Sequence, residues 1–487
     1  MSKKELNEAL DIVDAEIKKS GLSRRDALKL AGLGSATFLL DPTNTEAATN
    51  AKASEAKGKI LIIGGGLAGI STAARLSNEL SNPDITVVEP NPKSVSYQPG
   101  NTLIASGIYE KNEIMYNTKD YIPSGVTFIK DKAVEFNPDE NRVILESNKS
   151  LDYDFLIIAA GLKLDFKSIK GLEDIGETYS LTDGKPIVDK FGNSGVCSIY
   201  NADSAVATWQ QMQKFVQKAK TQEVNAVFTH PNTPIKCGGG PKKIMYLTNS
   251  RLEEAKVRKN ANLTFYPNGS SMFGVKQYHD AIVKQFEKRD FNWHYKHNLT
   301  AVDIDKKVAT FDKRWEVKGE YDPDLEEYFM ETKHEDVKVP FDFLHITPPM
   351  KAPDEIGNSA LGSAKGWVPV HKETLQHIKY DNVFAIGDIA AVPMGKTGGS
   401  VRKQYKVLVS NIISAMEGKE LTAKYAGYTV CPLITDIGKV MLAEFNWTRK
   451  PTPSFPLDPT QERYIWWLLK VYMLKPMTQY GLLSGRA

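Results

Sequence analysis

Short apolar runs, each closed by a glycine or an acidic residue, set the pattern of this chain. Residues 59–63 place four aliphatic side chains after Lys59, and residues 85–88 form a second short apolar run. The segment between them, through Leu80, has the apolar spacing of a helix. Continuous apolar runs of this length are typical of strands in a parallel sheet. The order strand, helix, strand therefore predicts the first unit of an α/β domain.

A glycine-rich turn joins the first strand to this helix. Gly64 permits a tight turn, Gly66 lets backbone approach a pyrophosphate, and Gly69 lets the helix pack on the strand. Glu89 ends the second strand twenty residues after Gly69, where a carboxylate accepts both ribose hydroxyls. The pattern predicts a dinucleotide whose phosphates lie at the helix N-terminus. The cofactor-binding residues predicted in this turn are Gly64, Gly66, Leu67, Ala68 and Gly69.

Two later segments favour FAD over NAD as this dinucleotide. Residues 151–161 look like the second conserved strand of flavoproteins with two dinucleotide-binding domains, and they end in Gly161. Residues 382–388 resemble the late motif of the same proteins, a strand that ends in Gly387 and Asp388, whose aspartate reaches the ribityl chain. Either segment alone could be an ordinary buried strand. Together with the first turn they predict non-covalent FAD.

The middle of the chain, residues 172–340, corresponds to the domain that binds NAD(P)H in related reductases. No second glycine fingerprint occurs there, and no acidic residue follows the strand predicted at 263–266. The strand predicted at 226–230 leads instead to Cys237. A nicotinamide site is therefore disfavoured.

Cys237 stands beside Lys236 in a glycine run that leads into a helix. A helix N-terminus and a neighbouring lysine both lower a thiol pKa and favour the thiolate. The local sequence is equally compatible with a buried structural cysteine in a glycine turn. Cys237 is the predicted catalytic residue because the rest of the chain points to redox chemistry.

Composition narrows the possible partners. A formal net charge of +3 over 487 residues gives no reason to expect a nucleic-acid partner. Three cysteines provide neither a disulfide scaffold nor the paired spacing of a zinc site, so no metal is predicted.

The N-terminal residues carry an export pattern. Arg24 and Arg25 lie in a stretch that matches a twin-arginine signal, with Ala27 where phenylalanine is commoner. The apolar run at 30–40 is too short to span a bilayer, which takes about 20 residues. A short amphipathic helix with a chance arginine pair is the alternative. The pattern predicts export of a folded, cofactor-loaded protein to the periplasm.

The segment 462–476 is rich in aromatic residues, including Trp466 and Trp467. Lys470, Lys475 and Pro476 interrupt any apolar span, so the segment is predicted to lie on a membrane surface rather than cross it. A helix docked on the protein's own core is the alternative.

Several long and particular runs resemble the sulfide:quinone oxidoreductase family, and most closely its mitochondrial-type branch. The likeness covers nearly everything after residue 58. The resembling runs are residues 97–99, 231–247, 273–276, 344–350, 372–377, 428–433 and 442–445.

The resemblance implies a membrane-surface flavoenzyme that oxidises sulfide and passes two electrons through FAD to a quinone. It also implies sulfide and a thiol or sulfane-sulfur acceptor as partners, and Gln98 and Lys396 as further FAD-binding residues. The family uses two redox cysteines, and Cys237 matches the first. The position expected for the second, directly after Asp388, is Ile389 here. An isoleucine can neither hold a sulfane sulfur nor donate electrons.

The other two cysteines leave this question open. The resemblance gives Cys431 no redox role, and it is expected to be a packed structural residue. Cys197 is also expected to be structural, with a lesser possibility that it supplies the missing thiol. Two further functions stay open: a sulfide dehydrogenase that reduces a periplasmic cytochrome, and a flavin-loaded sulfur-binding protein without turnover.

The predicted fold is an α/β protein with two Rossmann-like three-layer domains and a membrane-surface C-terminus. The predicted divisions are residues 1–57 (signal and linker), 58–171 (FAD domain), 172–340 (second domain), 341–420 (return to the FAD domain) and 421–487 (quinone- and membrane-facing region).

Overall fold

The computed structural model describes residues 53–95, 100–179, 184–322 and 324–487. The arginine pair at 24–25 and Gln98 lie outside these ranges. The export signal and the role of Gln98 therefore stay predictions.

The first sheet confirms the predicted α/β class. Its apolar strands are buried, and Ile62 pairs with Val87 on one side and with Ile157 on the other, in parallel. Phe384 in the late strand pairs with Ile157, so residues far apart in sequence build one domain. In spatial order the strands are Val383–Ala385, Phe155–Ile158, Lys59–Ile63, Asp84–Val88 and Thr127–Ile129.

A second parallel sheet forms the middle domain. Leu344 pairs with both Val196 and Val227, which puts the strand Phe343–His345 inside this sheet. The predicted division at 340/341 is therefore wrong: the chain completes the second sheet before it returns to the first domain. In spatial order the strands are Val196–Cys197, Phe343–His345, Val224–His230, Ala261–Pro267 and Asn292–Trp293.

Antiparallel strands supplement these two sheets. One set, Lys163–Asp165 with Glu177–Tyr179 and Met350–Lys351, joins segments on either side of the second domain. The others are Lys93–Val95 with Met115–Asn117; Ala133–Asn137, Arg142–Leu145 and Ser150–Asp152; His297–Asp303, Val308–Asp322 and Glu327–Pro340; and Thr429–Asp436, Lys439–Phe445 and Glu462–Arg463.

Side-chain caps begin two of the long helices. The Asn201 side chain accepts a hydrogen bond from the Asp203 amide over 2.8 Å, and Thr397 accepts one from the Ser400 amide over 3.2 Å. The α-helices are Leu67–Glu79, Gly100–Ile104, Lys185–Phe191, Ala202–Ala219, Gly240–Glu254, Lys276–Lys288, Asp354–Gly357, Gly398–Met416, Tyr464–Leu468 and Leu474–Pro476. Single 3₁₀ turns occupy Lys111–Glu113, Thr118–Tyr121, Pro138–Glu140, Phe166–Ser168, Glu173–Ile175, Arg258–Asn260 and Gly387–Ile389.

The C-terminal segment, residues 464–482, is helical throughout, with wider π-type turns at Leu469–Met473 and Met477–Leu482. Trp466 and Trp467 are buried, so the expectation that this pair meets lipid is wrong: the segment docks them on the protein's own core. Tyr472 and Tyr480 are its exposed large side chains. Within the described ranges, no helix is long and apolar enough to cross a membrane.

Candidate active site

Close backbone contacts hold the first glycine turn. Gly64 has a φ of +111°, and a Cβ there would lie 2.4 Å from the carbonyl oxygen of Ala159. A Cβ on Gly69 would lie 1.8 Å from the carbonyl oxygen of Gly64. Any larger residue would push the turn away from its neighbours. Gly64 and Gly69 therefore allow the turn to pack closely against the neighbouring backbone.

Gly66, by contrast, faces open space. It is the N-cap of the helix Leu67–Glu79, provides no capping side chain, and has no atom within 4 Å of the position of a Cβ. A helix N-terminus with this clearance suits a phosphate group. The turn therefore fits the pyrophosphate of a dinucleotide.

Glu89 lies beside this turn and is buried. Its carboxylate accepts hydrogen bonds from the Gly65 amide over 2.8 Å and from the Asn91 amide over 2.8 Å. Burial raises the pKa of Glu89, and the backbone hydrogen bonds partly offset that rise. These contacts fix the carboxylate at the end of the second strand, where a ribose would meet it.

One large cavity runs from this turn to the thiol of Cys237. It passes between the two domains and the C-terminal segment. Gly64 and Gly69 do not line it, in keeping with their place behind the turn. The predicted residues that line it are Gly66, Leu67, Ala68, Glu89, Gly161, Cys237, Gly387, Asp388 and Lys396.

Asp388 and Lys396 both line the cavity. Burial raises the pKa of Asp388, while the charges of Lys396 and Lys236 act in the opposite direction. Burial lowers the pKa of Lys396 to about 8, and its amine lies 3.9 Å from the centre of the Trp367 ring. The Lys396 amine also donates to the backbone carbonyl of Asp388. Together with the glycine turn, these residues fit FAD.

Cys237 has an unusual backbone conformation for a non-glycine residue, with a φ of +51°. Its amide donates to the carbonyl of Lys396 over 3.0 Å, and its carbonyl accepts from the Gly240 amide over 2.6 Å. The helix Gly240–Glu254 begins three residues later, with Gly239 as its N-cap. These bonds hold the thiol at the helix N-terminus, between the two domains.

Lys243 lies one turn into that helix and reaches back to the thiol. Its amine donates to the Cys237 sulfur over 3.1 Å and is buried. A hydrogen bond from the Cys431 thiol and the charge of Lys243 hold the pKa of Cys237 well below its usual range, although burial opposes them. These contacts therefore favour the thiolate form of Cys237. Sequence reasoning pointed to Lys236 and missed Lys243, although a lysine six residues after the cysteine on a helix is the signal that could have revealed it.

Cys431 is buried, as expected of a packed residue, but it also lines the cavity beside Cys237, which the sequence did not predict. Its sulfur hydrogen-bonds Cys237, and a Cβ on Gly239 would lie 2.5 Å from it. The hydrogen bond to Cys237, together with burial, raises the pKa of Cys431 well above its usual range. We call Cys237 and Cys431 the thiol pair.

The other two positions considered for the second thiol lie elsewhere. Ile389 is fully buried and does not line the cavity. Cys197 lies on the edge strand Val196–Cys197 of the second sheet, and burial raises its pKa strongly. Neither is placed to exchange sulfur with Cys237.

Lys470 brings the C-terminal segment to the thiol pair. It is fully buried, and burial followed by the charge of Lys243 lowers its pKa to about 7, against the opposite effect of the two thiols. From the sequence, Lys470 is expected only to interrupt the apolar character of an aromatic-rich surface helix. Its place beside two thiols makes it part of the site.

Beyond the thiol pair, the cavity becomes an apolar chamber. One wall is a single face of two antiparallel strands, since Val430 pairs with Glu444 and Pro432 with Leu442. The opposite wall comes from the C-terminal segment. The chamber-lining residues are Tyr428, Val430, Pro432, Leu442, Glu444, Leu469, Leu474, Met477, Thr478 and Leu482. Among the described residues, no group of His, Cys, Asp or Glu is arranged to hold a metal ion.

Three features define the class of this protein: two parallel α/β domains, a glycine turn that fits a dinucleotide, and a thiol pair in the same cavity. Together they are those of a flavin-dependent disulfide oxidoreductase. In agreement, residues 58–202 match the family described as pyridine nucleotide-disulphide oxidoreductase. The mitochondrial sulfide:quinone oxidoreductase of Mus musculus is 38% identical over 427 residues, covering 88% of this chain and 86% of that protein. The mitochondrial enzyme of the same name from Dictyostelium discoideum is 36% identical, covering 88% and 86%. This chain belongs to the sulfide:quinone oxidoreductase family.

Solved structures share the fold. The sulfide:quinone oxidoreductase of Aquifex aeolicus superposes with a TM-score of 0.67 at 19% identity, covering 88% of this chain and 92% of that one. A chain of the Tetrahymena thermophila mitochondrial ATP synthase superposes with a TM-score of 0.71 at 18% identity, covering 90% and 99%. At these identities the likeness concerns the fold alone.

Proposed function

We propose that this protein oxidises sulfide to sulfane sulfur and passes the electrons through FAD to a quinone. The observation that carries the proposal is the thiol pair, in which Lys243 stabilises the thiolate form of Cys237, inside the same cavity that fits FAD. The two mitochondrial relatives, which carry this activity in their names, support it. The thiol pair also removes the reason to expect a sulfur-binding protein without turnover.

The second thiol in this proposal is Cys431, and Ile389 has no part in the chemistry. In the oxidised protein the thiol pair forms a disulfide. Sulfide attacks the Cys431 sulfur and breaks the S–S bond, which makes Cys431 a persulfide and releases Cys237 as a thiolate. Cys237 is the better leaving group, because a thiol of lower pKa leaves faster and Lys243 stabilises its charge.

An acceptor thiolate or a second sulfide then takes the outer sulfur atom from Cys431. Cys431 is left as a thiol, and the pair returns to the disulfide as it loses two electrons and its remaining proton. When bound, FAD supplies the two-electron link from the dithiol to the quinone, whose reduction consumes two protons. Gly66, Glu89, Asp388 and Lys396 would hold it. Lys243 and Lys470 provide positive charge for an anionic sulfur nucleophile.

The apolar chamber is the proposed quinone site. Its walls are mostly aliphatic side chains from two strands and the C-terminal segment, as a hydrophobic ring requires. The exposed Tyr472 and Tyr480 on that segment suit a membrane surface, from which a quinone could enter. Peripheral membrane binding and a thiol acceptor are therefore part of the proposal.

A steady-state assay with sulfide and a short-chain quinone tests the function. We expect quinone reduction that depends on sulfide and is lost in Cys237→Ser. Sulfide-dependent reduction of cytochrome c without quinone would favour the cytochrome-linked alternative. Bound FAD that sulfide does not bleach would reject both.

We also propose periplasmic export, supported by the twin-arginine pattern. Fractionation of cells that express the full chain tests it, with Arg24→Lys and Arg25→Lys together as the variant. We expect the variant to stay in the cytoplasm. Equal distribution of the two proteins would reject the export signal.

A further inference from the structure

A long β-hairpin extends beyond the sheet that supports it. The strands Val308–Asp322 and Glu327–Pro340 pair with each other along their length, but the supporting strand His297–Asp303 reaches only as far as Lys313. Among the described residues, 315–322 and 327–333 pair only with each other, and we call the stretch 315–333 the arm. Eight residues of one strand span about 25 Å at about 3.3 Å per residue. Two-stranded ribbons are only marginally stable in water by themselves, so a ribbon of this length is expected to be stabilised by packing against another surface.

The arm holds most of the exposed large hydrophobic side chains of the protein. Of ten such side chains in the described part of the chain, six lie on the arm, with exposed fractions from 37% to 64%. A concentration of this kind marks an interaction surface. The six are Trp315, Tyr321, Leu325, Tyr328, Phe329 and Met330.

These side chains lie on both faces of the ribbon. Val317 pairs with Glu331, which puts Trp315 and Phe329 on one face. Tyr321 pairs with Tyr328, and their rings lie 5.0 Å apart on the other face. A ribbon that is apolar on both faces fits between two walls better than it fits a flat surface.

The charge of the arm is opposite to that of the remaining chain. It carries seven acidic side chains against two lysines, Lys318 and Lys333, a net charge of −5. The whole chain is +3, so the residues outside the arm sum to +8. An anionic lipid surface would repel the arm. The positive remainder of a second copy would attract it.

The area also suits a dimer. Each face of the arm measures about 25 Å by about 10 Å, since neighbouring strands lie about 5 Å apart. Two arms, each covered on both faces, would bury roughly 2,000 Å² with the surfaces that receive them, which is within the range of stable dimers. A reciprocal exchange around a two-fold axis uses the same contacts twice and closes the assembly.

We propose that the arm is a dimerisation element: each copy of this chain places its arm against the remainder of a second copy, which carries the opposite net charge. The occupant is this same protein because charge and area both match it. The inference is independent of the proposed catalytic function. None of the arm residues lines the cavity.

Sedimentation velocity of the full, flavin-loaded chain at micromolar concentration tests the proposal. We expect a dimer that dissociates as salt rises, because the contact is partly electrostatic. The test variant replaces residues 315–333 by Asn-Gly. This two-residue turn joins Arg314 to His334, which stand opposite each other in register, and it keeps the supported base of the hairpin. We expect this variant to be monomeric with unchanged flavin content.

Two point variants test whether the apolar side chains of the arm make the dimer contact. Phe329→Ser should raise the dimer dissociation constant by at least about tenfold, as loss of a central aromatic contact does. Ile378→Ser removes an exposed apolar side chain outside the arm and should leave the dimer intact. A monomeric wild type, a dimeric Asn-Gly variant, or arm-dependent binding to phosphatidylglycerol vesicles would each overturn the proposal.

Discussion

The amine of Lys243 lies 3.1 Å from the sulfur of Cys237, and Lys243 is buried in the first turn of the helix that follows this cysteine. Lys243 stands six residues after the cysteine, in the first turn of the helix Gly240–Glu254, so one short segment of chain carries both the thiol and the positive charge beside it. Both residues belong to residues 237–243, so their contact does not require a second sulfur.

The first prediction concerns that charge. Lys243→Met removes the ammonium group and should move the titration of Cys237 upward, towards the range of an ordinary thiol. The thiolate form, which the lowered pKa of Cys237 favours in the wild type, would then appear at higher pH. We expect the rate of alkylation by iodoacetamide at pH 7 to fall by about tenfold or more. The rate is followed by mass spectrometry across pH.

Lys242→Met is the matched control for this experiment. Lys242 is the neighbouring residue on the same helix, but its amine donates to the Gly238 carbonyl over 3.3 Å. It should cause a smaller change in the same titration. An equal change in both variants would mean that general positive potential, rather than the contact to Cys237, sets the thiol pKa.

The second prediction distinguishes the possible second thiols. Cys431→Ser should slow flavin bleaching by sulfide by at least about 100-fold, because the serine cannot form a disulfide or hold sulfane sulfur. Cys197→Ser should leave the bleaching rate nearly unchanged. Ile389→Cys should not rescue Cys431→Ser, since Ile389 lies in the core. Rapid mixing gives the rates, and rescue by Ile389→Cys would contradict the assignment of Cys431.

Local patterns predicted the flavin end of the site, and the sulfur end was predicted only in part. Gly64 and Gly69 mark a turn whose geometry follows from neighbouring residues. Cys431 could not be placed in this way. Its contact with Cys237 depends on how a strand nearly two hundred residues later crosses the helix Gly240–Glu254. Which residue contacts a thiol across a domain boundary depends on the tertiary structure, which local sequence patterns do not contain.

The same limit explains the C-terminal segment. Trp466 and Lys470 have the composition of an interfacial helix, and sequence alone gives them equal access to lipid and to the core. In the fold both are buried. Tertiary packing determines that the segment contacts the core, because it buries Lys470 beside the thiol pair, where its positive charge can stabilise a thiolate.

The third prediction tests the cofactor turn. Gly66→Val should fold normally, since no atom lies within 4 Å of the new Cβ, but its side chain would occupy the space for the pyrophosphate. Gly274→Val, at another glycine with no atom in that range, is the control. Flavin released on denaturation should be absent from the first variant and unchanged in the second. Full flavin content in Gly66→Val would place the dinucleotide elsewhere.

The fourth prediction is that NADH does not reduce the flavin. After the strand Val224–His230 the chain leads to Cys237 and Lys243, and the helix that follows presents its N-terminus to the thiol rather than to a phosphate. Anaerobic mixing with NADH should leave the flavin absorbance unchanged over minutes, while sulfide bleaches it. Rapid bleaching by NADH would show a nicotinamide site that this region was predicted to lack.

The last prediction concerns the stability cost of Lys470. Burial lowers its pKa from 10.5 to about 7, so the folded protein binds this proton less tightly than the unfolded chain does. The penalty is complete below pH 7 and fades as the pH rises towards 10.5, where both states are neutral. Lys470→Met keeps the length of the side chain without its charge and should stabilise the fold at pH 6. The gain should be about 2–4 kcal/mol and should shrink as the pH approaches 10. Thermal unfolding across pH measures it, with Lys475→Met on the same segment as the control. A constant difference across pH would show that Lys470 stays charged, held by the thiol pair.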